Sequence, residues 1–191
     1  MRKIVVYMTT SMDGSIAGPN NERDWMVQTA DPELTHDIVA LFEGVDAGLL
    51  GYPVYSGMIE YWRGVAENPS ASEGTRAIAT AVNRLHPIAI SNAPVELVGD
   101  NAELLVAKDA DALVEAVTTL KGQAGKDLLL RGGVRTAQKF VRLGLVDEDV
   151  LHVHPVAIGT GKPLFTGRVS LVLISTKAYP SGVVRVCYRS S

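Results

Sequence analysis

Residues 128–165 read LLLRGGVRTAQKFVRLGLVDEDVLHVHPVAIGTGKPLF, the most informative stretch of the sequence. Three leucines at its start are typical of a buried β-strand. Gly132 and Gly133 follow, and the next apolar residues recur with helical spacing until Gly144 ends the pattern. A helix that begins directly after a strand and two glycines presents backbone N–H groups and partial positive charge to a phosphate. The same glycine pair also suits a plain tight turn, and both interpretations stay open.

A second apolar strand is predicted over residues 150–158, and a loop over residues 159–163 leads back to Leu164 and Phe165. This order of elements resembles the C-terminal half of the dihydrofolate reductase-like family. In that family the tail has Gly-Gly, a helix, GLVDEL, a strand and P-x-x-x-G-x-G-x-P-L-F. The nearest branch is the reductase domain of the bifunctional riboflavin-biosynthesis deaminase/reductase. The resemblance implies two groups of site residues: cofactor-binding Gly132, Gly133, Val134, Arg135 and Thr136, and substrate-binding Gly159 and Gly161.

Composition limits the class of protein. The 191 residues are 47% hydrophobic and 20% charged, and the net charge is −3. We expect one domain over residues 1–191, with no nucleic-acid partner because the basic residues are scattered. No apolar run reaches about 18 residues and no secretory signal pattern is present, so we predict a cytoplasmic protein without membrane spans. Cys187, the lone cysteine, is interpreted as a small core residue.

The N-terminal stretch resembles the family's S-L-D-G-x-I-A opening. A strand is predicted over Lys3–Thr10, followed by a turn containing Asp13 and a short strand at residues 15–17. The resemblance implies that Asp13 lies beside the substrate, whereas the residues alone favour a structural Asp-Gly turn. Asp24 and Trp25 match the family's D-W pair, which lies in a mobile loop over nicotinamide and substrate.

The first helix is predicted to begin with Asp31 as N-cap and a proline directly after it. His36 and Asp37 lie off its apolar face, which favours a solvated position. Dihydrofolate reductases carry their proton-handling acid on this helix. The alignment puts Thr35 or His36 nearest that place, so a clean match is absent.

Two family arginines are replaced in this sequence. Gly51 and Tyr52 follow a strand at Val45–Leu50 and open a short helix, where the family segment L-L-G-R-x-T-Y has an arginine that holds the 2′-phosphate of NADPH. Ser91 and Asn92 follow a later strand, and Asn92 stands at the second arginine position. The resemblance assigns all four of these residues to the cofactor. Arg131 and Arg135 flank the glycine pair, and either could replace the missing guanidinium.

Three further features are predicted downstream. Trp62 matches an aromatic residue of the family and is assigned to the substrate pocket, with a core position as the alternative. A helix near residues 72–84 is preceded by a possible capping box from Ser70 to Glu73. Residues 170–177 and 183–188 form a C-terminal hairpin.

Alternating strands and helices predict an α/β fold, dihydrofolate reductase-like, with a mixed, mostly parallel central sheet and helices on both faces. Ligands of such sheets bind beyond the carboxyl ends of the strands. Four glycine or serine turns follow predicted strands and outline one cleft there: Asp13-Gly14, Gly51-Tyr52, Ser91-Asn92 and Gly132-Gly133. His152 and His154 share one strand face without a spaced carboxylate or cysteine partner, so no metal site is predicted.

The predicted function is reduction of a small heterocyclic, pyrimidine- or pterin-like substrate by hydride transfer from NADPH. NADH and a flavin or deazaflavin cofactor stay open, because Tyr52 and Asn92 carry no positive charge. A nucleotide- or ligand-binding protein without turnover is the third hypothesis. Asp13 is the first candidate for proton donation, and Asp24 and His36 are the others. The riboflavin relatives imply a homodimer.

Overall fold

A computed structural model describes residues 1–26, 31–99 and 101–190. The strands are β1 Ile4–Ser11, β2 Ser15–Ala17, β3 Val45–Gly51, β4 His86–Ser91, β5 Glu103–Val106, β6 Asp127–Gly132, β7 Glu148–His154, β8 Lys162–Pro163, β9 Leu171–Ala178 and β10 Val184–Ser190. The helices are α1 Pro32–Glu43, α2 Tyr52–Glu67, α3 Glu73–Asn83, α4 Ala110–Gly122 and α5 Val134–Arg142.

Eight strands form one mixed sheet in the order β5-β4-β3-β6-β1-β7-β10-β9. The first six of these are parallel to their neighbours, whereas β10 runs antiparallel to both β7 and β9. The apolar strands β1 and β6 lie in the middle, where both faces are covered, as continuous apolar runs favour. The predicted fold class and C-terminal hairpin are confirmed.

Helices cover both faces of the sheet. α4 and α5 pack on one face, where Leu113, Val117 and Phe140 join Ile4 and Leu130 in a large apolar cluster. α1 and α3 pack on the other face through a second cluster. Cys187 is a free thiol that is only partly buried against that second cluster, so its predicted core position is met in part.

Tertiary contacts changed the end of one predicted strand. β7 ends at His154, not at residue 158, because the backbone groups of residues 156–158 form hydrogen bonds to the turn between β1 and β2. The Met12 N–H donates to the Val156 carbonyl at 2.7 Å, and Asp13 accepts from the N–H of Ile158.

Two helix predictions are corrected as well. The N-cap of α3 is Ser72, whose hydroxyl accepts from the Thr75 N–H at 3.1 Å, so the predicted capping box from Ser70 to Glu73 is wrong. The helix that opens at Tyr52 was expected to be short but has 16 residues. Among the described residues, no helix combines the length and apolarity that a membrane crossing needs.

Candidate functional site

The carboxyl ends of four adjacent strands bring the predicted turn segments to one edge of the sheet. β4, β3, β6 and β1 are neighbours in that order. Gly51 lies opposite Ile90, and Leu50 lies opposite Gly132, so Ser91, Gly51 and the glycine pair end level with one another. Asp13 follows β1 at the same edge. The structure thus places these segments along one edge, and the roles of the individual residues stay predictions.

Two helices begin side by side at this edge without side-chain caps. α2 starts after Gly51 and α5 starts after Gly133, and neither N-cap residue provides a side-chain hydrogen bond. In contrast, α1, α3 and α4 are capped by the side chains of Asp31, Ser72 and Asp109. Uncapped N–H groups at a helix start are available to an anion. Pro53 removes one donor from α2, so α5 is the stronger of the two anion sites.

Glycines let α5 start very close to β3. A Cβ on Gly51 would lie 2.2 Å from the Thr136 Oγ1, closer than any side chain permits. Gly133 has φ of 88°, a conformation that favours glycine. Val134 is half-buried and Arg135 is exposed, so the guanidinium of Arg135 is free to meet a ligand. The close packing supports the tight-turn interpretation of the glycine pair, and the uncapped start of α5 keeps the phosphate interpretation open.

The Asp13 carboxylate ties two loops together at the cleft. It accepts hydrogen bonds from the Ser11 hydroxyl, the Gly159 N–H at 2.8 Å and the Ile158 N–H at 3.3 Å. These bonds, that from Ser11 most of all, hold the pKa of Asp13 below its usual range. An exposed carboxylate that stays ionised is an acceptor at neutral pH and a poor direct proton donor. Gly159 is thus brought to Asp13, and its φ of 73° suits a glycine.

An aromatic corner lies beside the carboxyl end of β7. The Trp25 ring stands edge-on to the His154 ring, with 6.1 Å between centroids, and the Trp25 Nε1 donates to the Glu22 carbonyl at 3.1 Å. Arg23 lies within electrostatic range of His154 and Tyr7, so it brings a positive charge to this corner. Asp24 is exposed in the turn between Arg23 and Trp25. The predicted D-W pair therefore lies at the β7 end of the cleft edge.

The positions of the other predicted site residues give less information about their roles. His36 is exposed on α1, and Asn92 is exposed after β4, whereas Tyr52 is half-buried at the first turn of α2. Trp62 packs against the apolar cluster between α1, α3 and the sheet, with its Nε1 buried and without a hydrogen-bond partner. Gly161 is closely packed: a Cβ there would lie 2.7 Å from both the Ala17 carbonyl and the Ser15 side chain.

Sequence reasoning missed a polar network between α1 and the C-terminal hairpin. The Asp37 carboxylate accepts from the Lys177 Nζ and the Tyr179 hydroxyl, each at 2.7 Å. Burial raises the pKa of Asp37, but these hydrogen bonds outweigh it and the net pKa is lowered. The solvated position inferred for Asp37 is therefore wrong. Both partners lie on a distant part of the chain, so no local pattern could have revealed them.

His152 adjoins this network in a buried position. Its ring stands edge-on to Tyr7 and Tyr179, its Nδ1 lies 3.3 Å from the Tyr7 hydroxyl, and its Nε2 has no hydrogen-bond partner. Burial lowers the pKa of His152 to about 4, so the ring is neutral at physiological pH. Burial also raises the pKa of Tyr7 to about 12. Within residues 1–26, 31–99 and 101–190, no three His, Cys, Asp or Glu side chains form a metal-binding group.

The sequence and the fold are both similar to known proteins. The model of the family described as the RibD C-terminal domain matches residues 2–185. The uncharacterized protein YyaP of Bacillus subtilis is 30% identical over 190 residues, which cover 98% of this chain and 94% of YyaP.

Two solved structures share the fold. A pyrimidine reductase-like protein of Corynebacterium diphtheriae has a TM-score of 0.64 and 17% identity, with 100% of this chain and 92% of that chain covered. A diaminohydroxyphosphoribosylaminopyrimidine deaminase/5-amino-6-(5-phosphoribosylamino)uracil reductase of Thermotoga maritima has a TM-score of 0.66 and 12% identity. The alignment covers 100% of this chain and 57% of the Thermotoga chain.

Proposed function

Since the chain belongs to the RibD C-terminal domain family, we propose that it is an NADPH-dependent reductase of a small heterocyclic, pyrimidine- or pterin-like substrate. One observation carries the proposal: two uncapped helix starts lie side by side at the carboxyl edge of adjacent parallel strands. Pyrophosphate groups bind at such positions because backbone N–H groups and helix dipoles stabilise their charge. The similarity to a pyrimidine reductase-like protein supports the substrate class.

The residues at the edge fit a nicotinamide dinucleotide. Gly51, Gly132 and Gly133 let β3, β6 and the start of α5 pack closely, and the N–H groups of Val134 and Thr136 lie in the first turn of α5. Arg135 is exposed in that turn and takes the place of the missing arginines beside the 2′-phosphate. Ser91 and Asn92 complete the adenosine side, with Tyr52 at the start of α2. The bound cofactor supplies the hydride from its nicotinamide C4.

The substrate lies at the β1 and β7 end of this edge. Trp25 provides a flat apolar wall for a heterocyclic ring. Gly159 has open space around it in the loop that Asp13 holds against β1, and the closely packed Gly161 positions that loop against β2. Trp62 packs in the core between helices and sheet, so it contacts the substrate only if the heterocyclic ring of the substrate reaches beneath α2.

A hydride acceptor also needs a proton. We propose that Asp13 remains ionised and orients a water molecule that delivers the proton, since its hydrogen bonds lower its pKa. Asp24 is the second candidate, because it is exposed next to Trp25. His36 is the third, from its position on α1 alone.

A flavin or deazaflavin is the second candidate cofactor. The uncapped helix starts accept any phosphate or pyrophosphate, and Tyr52 and Asn92 carry no charge that selects a 2′-phosphate. Binding without turnover is the remaining alternative, and a substrate screen with bound NADPH separates it from a reductase.

We also propose that the protein is a homodimer. β9 is one of the two outer strands of the sheet in the described part of the chain, and Val172, Leu173 and Ile174 are 40%, 54% and 49% exposed on it. A long apolar edge strand is normally covered, because its free N–H and C=O groups invite pairing. The same strand of a second copy would cover the apolar side chains and pair with the free backbone groups.

The decisive experiment is a titration with NADPH and NADH that follows nicotinamide fluorescence. Gly133→Asp adds a negative charge at the start of α5. Gly144→Asp is the matched control, because Gly144 also has a positive φ of 64° but lies beyond the other end of α5, with open space around it. We expect micromolar NADPH binding that Gly133→Asp abolishes and Gly144→Asp retains.

The opposite result rejects the cofactor assignment. If neither nucleotide binds, or if both variants bind NADPH as the unaltered protein does, the α5 start is not a nucleotide site. Flavin mononucleotide and a deazaflavin would then be titrated by absorbance.

A further inference from the structure

A cavity of about 500 Å³ lies between α2, the end of α3 and the first residues of β3 and β4. Asp46 and His86 form part of its wall at the starts of these strands. Gly51 and Ser91 end the same strands at the proposed cofactor edge, about 16 Å further along at the usual rise per residue. The cavity is therefore separate from that edge.

Arg131 extends into this cavity. Arg131 is 7% exposed, and its Nε has no hydrogen-bond partner in the part of the chain that the structure describes. Gly48 makes room for it, because a Cβ on Gly48 would lie 2.8 Å from the Arg131 Nε. Burial lowers the pKa of Arg131 to about 10, so the group stays charged at neutral pH. A buried guanidinium without a partner is destabilising unless an anion binds it.

The surrounding charges do not neutralise Arg131. Arg63 and Arg84 also line the cavity, which adds positive charge. Among the described residues, Asp46 is the acidic one on the wall, but its carboxylate already binds the Arg2 guanidinium and the Lys126 N–H. None of the ion pairs formed by the described residues includes Arg131.

Two outer pairs partly balance the rim of the cavity. Arg84 lies 3.8 Å from Glu43, and the His86 Nε2 lies 3.4 Å from the Glu103 carboxylate. These pairs are exposed and weak. They leave the positive charge of Arg131 and Arg63 in excess.

We propose that this cavity is a second ligand site, which binds a phosphate group through Arg131 with Arg63 at its rim. A guanidinium presents paired N–H donors that match the oxygens of a phosphate. The volume lies within the range of small-molecule sites, so a phosphate monoester of sugar size fits as well as free phosphate. The site is independent of the proposed reductase activity, because it lies away from the cofactor edge.

Thermal unfolding at constant ionic strength tests the site. The probes are inorganic phosphate, ribose 5-phosphate and ribose, with sodium chloride as the reference salt. Phosphate well above its Kd should raise Tm by about 5 °C, whereas ribose and chloride should not. Arg131→Met should abolish this rise and should itself unfold at a higher temperature in chloride, because it removes a buried unpaired charge.

Gly133→Asp separates this site from the α5 start, where phosphate also has a place to bind, because it adds a negative charge beside the backbone N–H groups there. The phosphate response should survive in Gly133→Asp and disappear in Arg131→Met. A larger response to ribose 5-phosphate than to phosphate at equal concentration identifies an ester as the ligand, and an equal response identifies free phosphate.

Three results would overturn the proposal: no phosphate response in the unaltered protein, a response that persists in Arg131→Met, or one lost in Gly133→Asp. Arg63→Gln keeps the test decisive if Arg131→Met fails to fold, because Arg63 is exposed on α2. It should raise the half-saturating phosphate concentration several-fold, and an unchanged value would equally reject the site.

Discussion

Asp37 on α1 and Tyr179 in the turn of the C-terminal hairpin share a hydrogen bond of 2.7 Å across 142 residues of sequence. The same carboxylate accepts from Lys177 at 2.7 Å and lies 3.6 Å from the Arg185 guanidinium. One acidic group thus fixes α1 against β9 and β10. The C-terminal hairpin therefore forms part of the surface against which α1 packs.

Tyr179→Phe should lower the free energy of unfolding by about 1–1.5 kcal/mol, because the Asp37 carboxylate loses a buried hydroxyl donor. Tyr188→Phe is the control: Tyr188 lies on β10, and its hydroxyl has no hydrogen-bond partner among the described residues. Urea unfolding at pH 7 measures both variants. Equal effects for the two tyrosines would show that the bond to Asp37 contributes nothing.

This network also marks where sequence-based prediction stopped. β1, β6 and the C-terminal hairpin were predictable, because apolar runs and turn residues are local signals. Asp37 was assigned to a solvated face, since only its helical spacing was visible. Its partners come from β9 and β10, and no periodicity within α1 reports them.

The candidate site was likewise predictable from the sequence only in part. The rule that ligands bind at the carboxyl ends of parallel strands correctly placed Gly51, Ser91 and Gly132 at one edge. Arg131 was expected beside the glycine pair, yet its side chain runs beneath α2 and α3. The absent side chain of Gly48 decides this, and that contact joins two different strands.

Asp149→Asn should stabilise the protein at neutral pH. Asp149 is 1% exposed, its Oδ1 has no hydrogen-bond partner, and burial raises its pKa from 3.8 to about 6. The folded state therefore binds the proton more tightly than the unfolded state, and the ionised group destabilises the protein as pH rises from 3.8 through 6.

The full penalty above pH 6 is on the order of 3 kcal/mol from this difference in pKa. Urea unfolding from pH 3.5 to 8 should show the gain of Asp149→Asn growing with pH and vanishing near pH 3.5. A gain of the same size at every pH would exclude the ionisation of Asp149 as its cause.

Gly51→Ala should destabilise the protein by about 1–3 kcal/mol, because its methyl group would collide with the Thr136 Oγ1. Gly57→Ala is the matched control within α2, where a Cβ meets nothing within 4 Å, and it should stabilise by about 0.5–1 kcal/mol. Adding Thr136→Ala to Gly51→Ala should recover part of the loss. Without recovery in the double variant, the collision is not the source of the effect.

Arg135→Gln should weaken NADPH binding about tenfold or more and leave NADH binding unchanged, because the guanidinium would lose only the 2′-phosphate. Arg142→Gln removes the same charge from the last turn of α5 and should leave both affinities unchanged. Fluorescence titration with each nucleotide gives the two ratios. A parallel loss for NADPH and NADH would place Arg135 on the pyrophosphate instead.

Leu173→Lys should convert a dimer to a monomer, because a charge in the middle of β9 prevents a second apolar strand from covering it. Val106→Lys is the control on β5 at the opposite edge of the sheet, where Val106 is likewise exposed. Light scattering after size-exclusion chromatography measures the mass of each species. A dimer that Val106→Lys dissociates and Leu173→Lys does not would place the interface at β5, and a monomeric unaltered protein would remove the dimer proposal altogether.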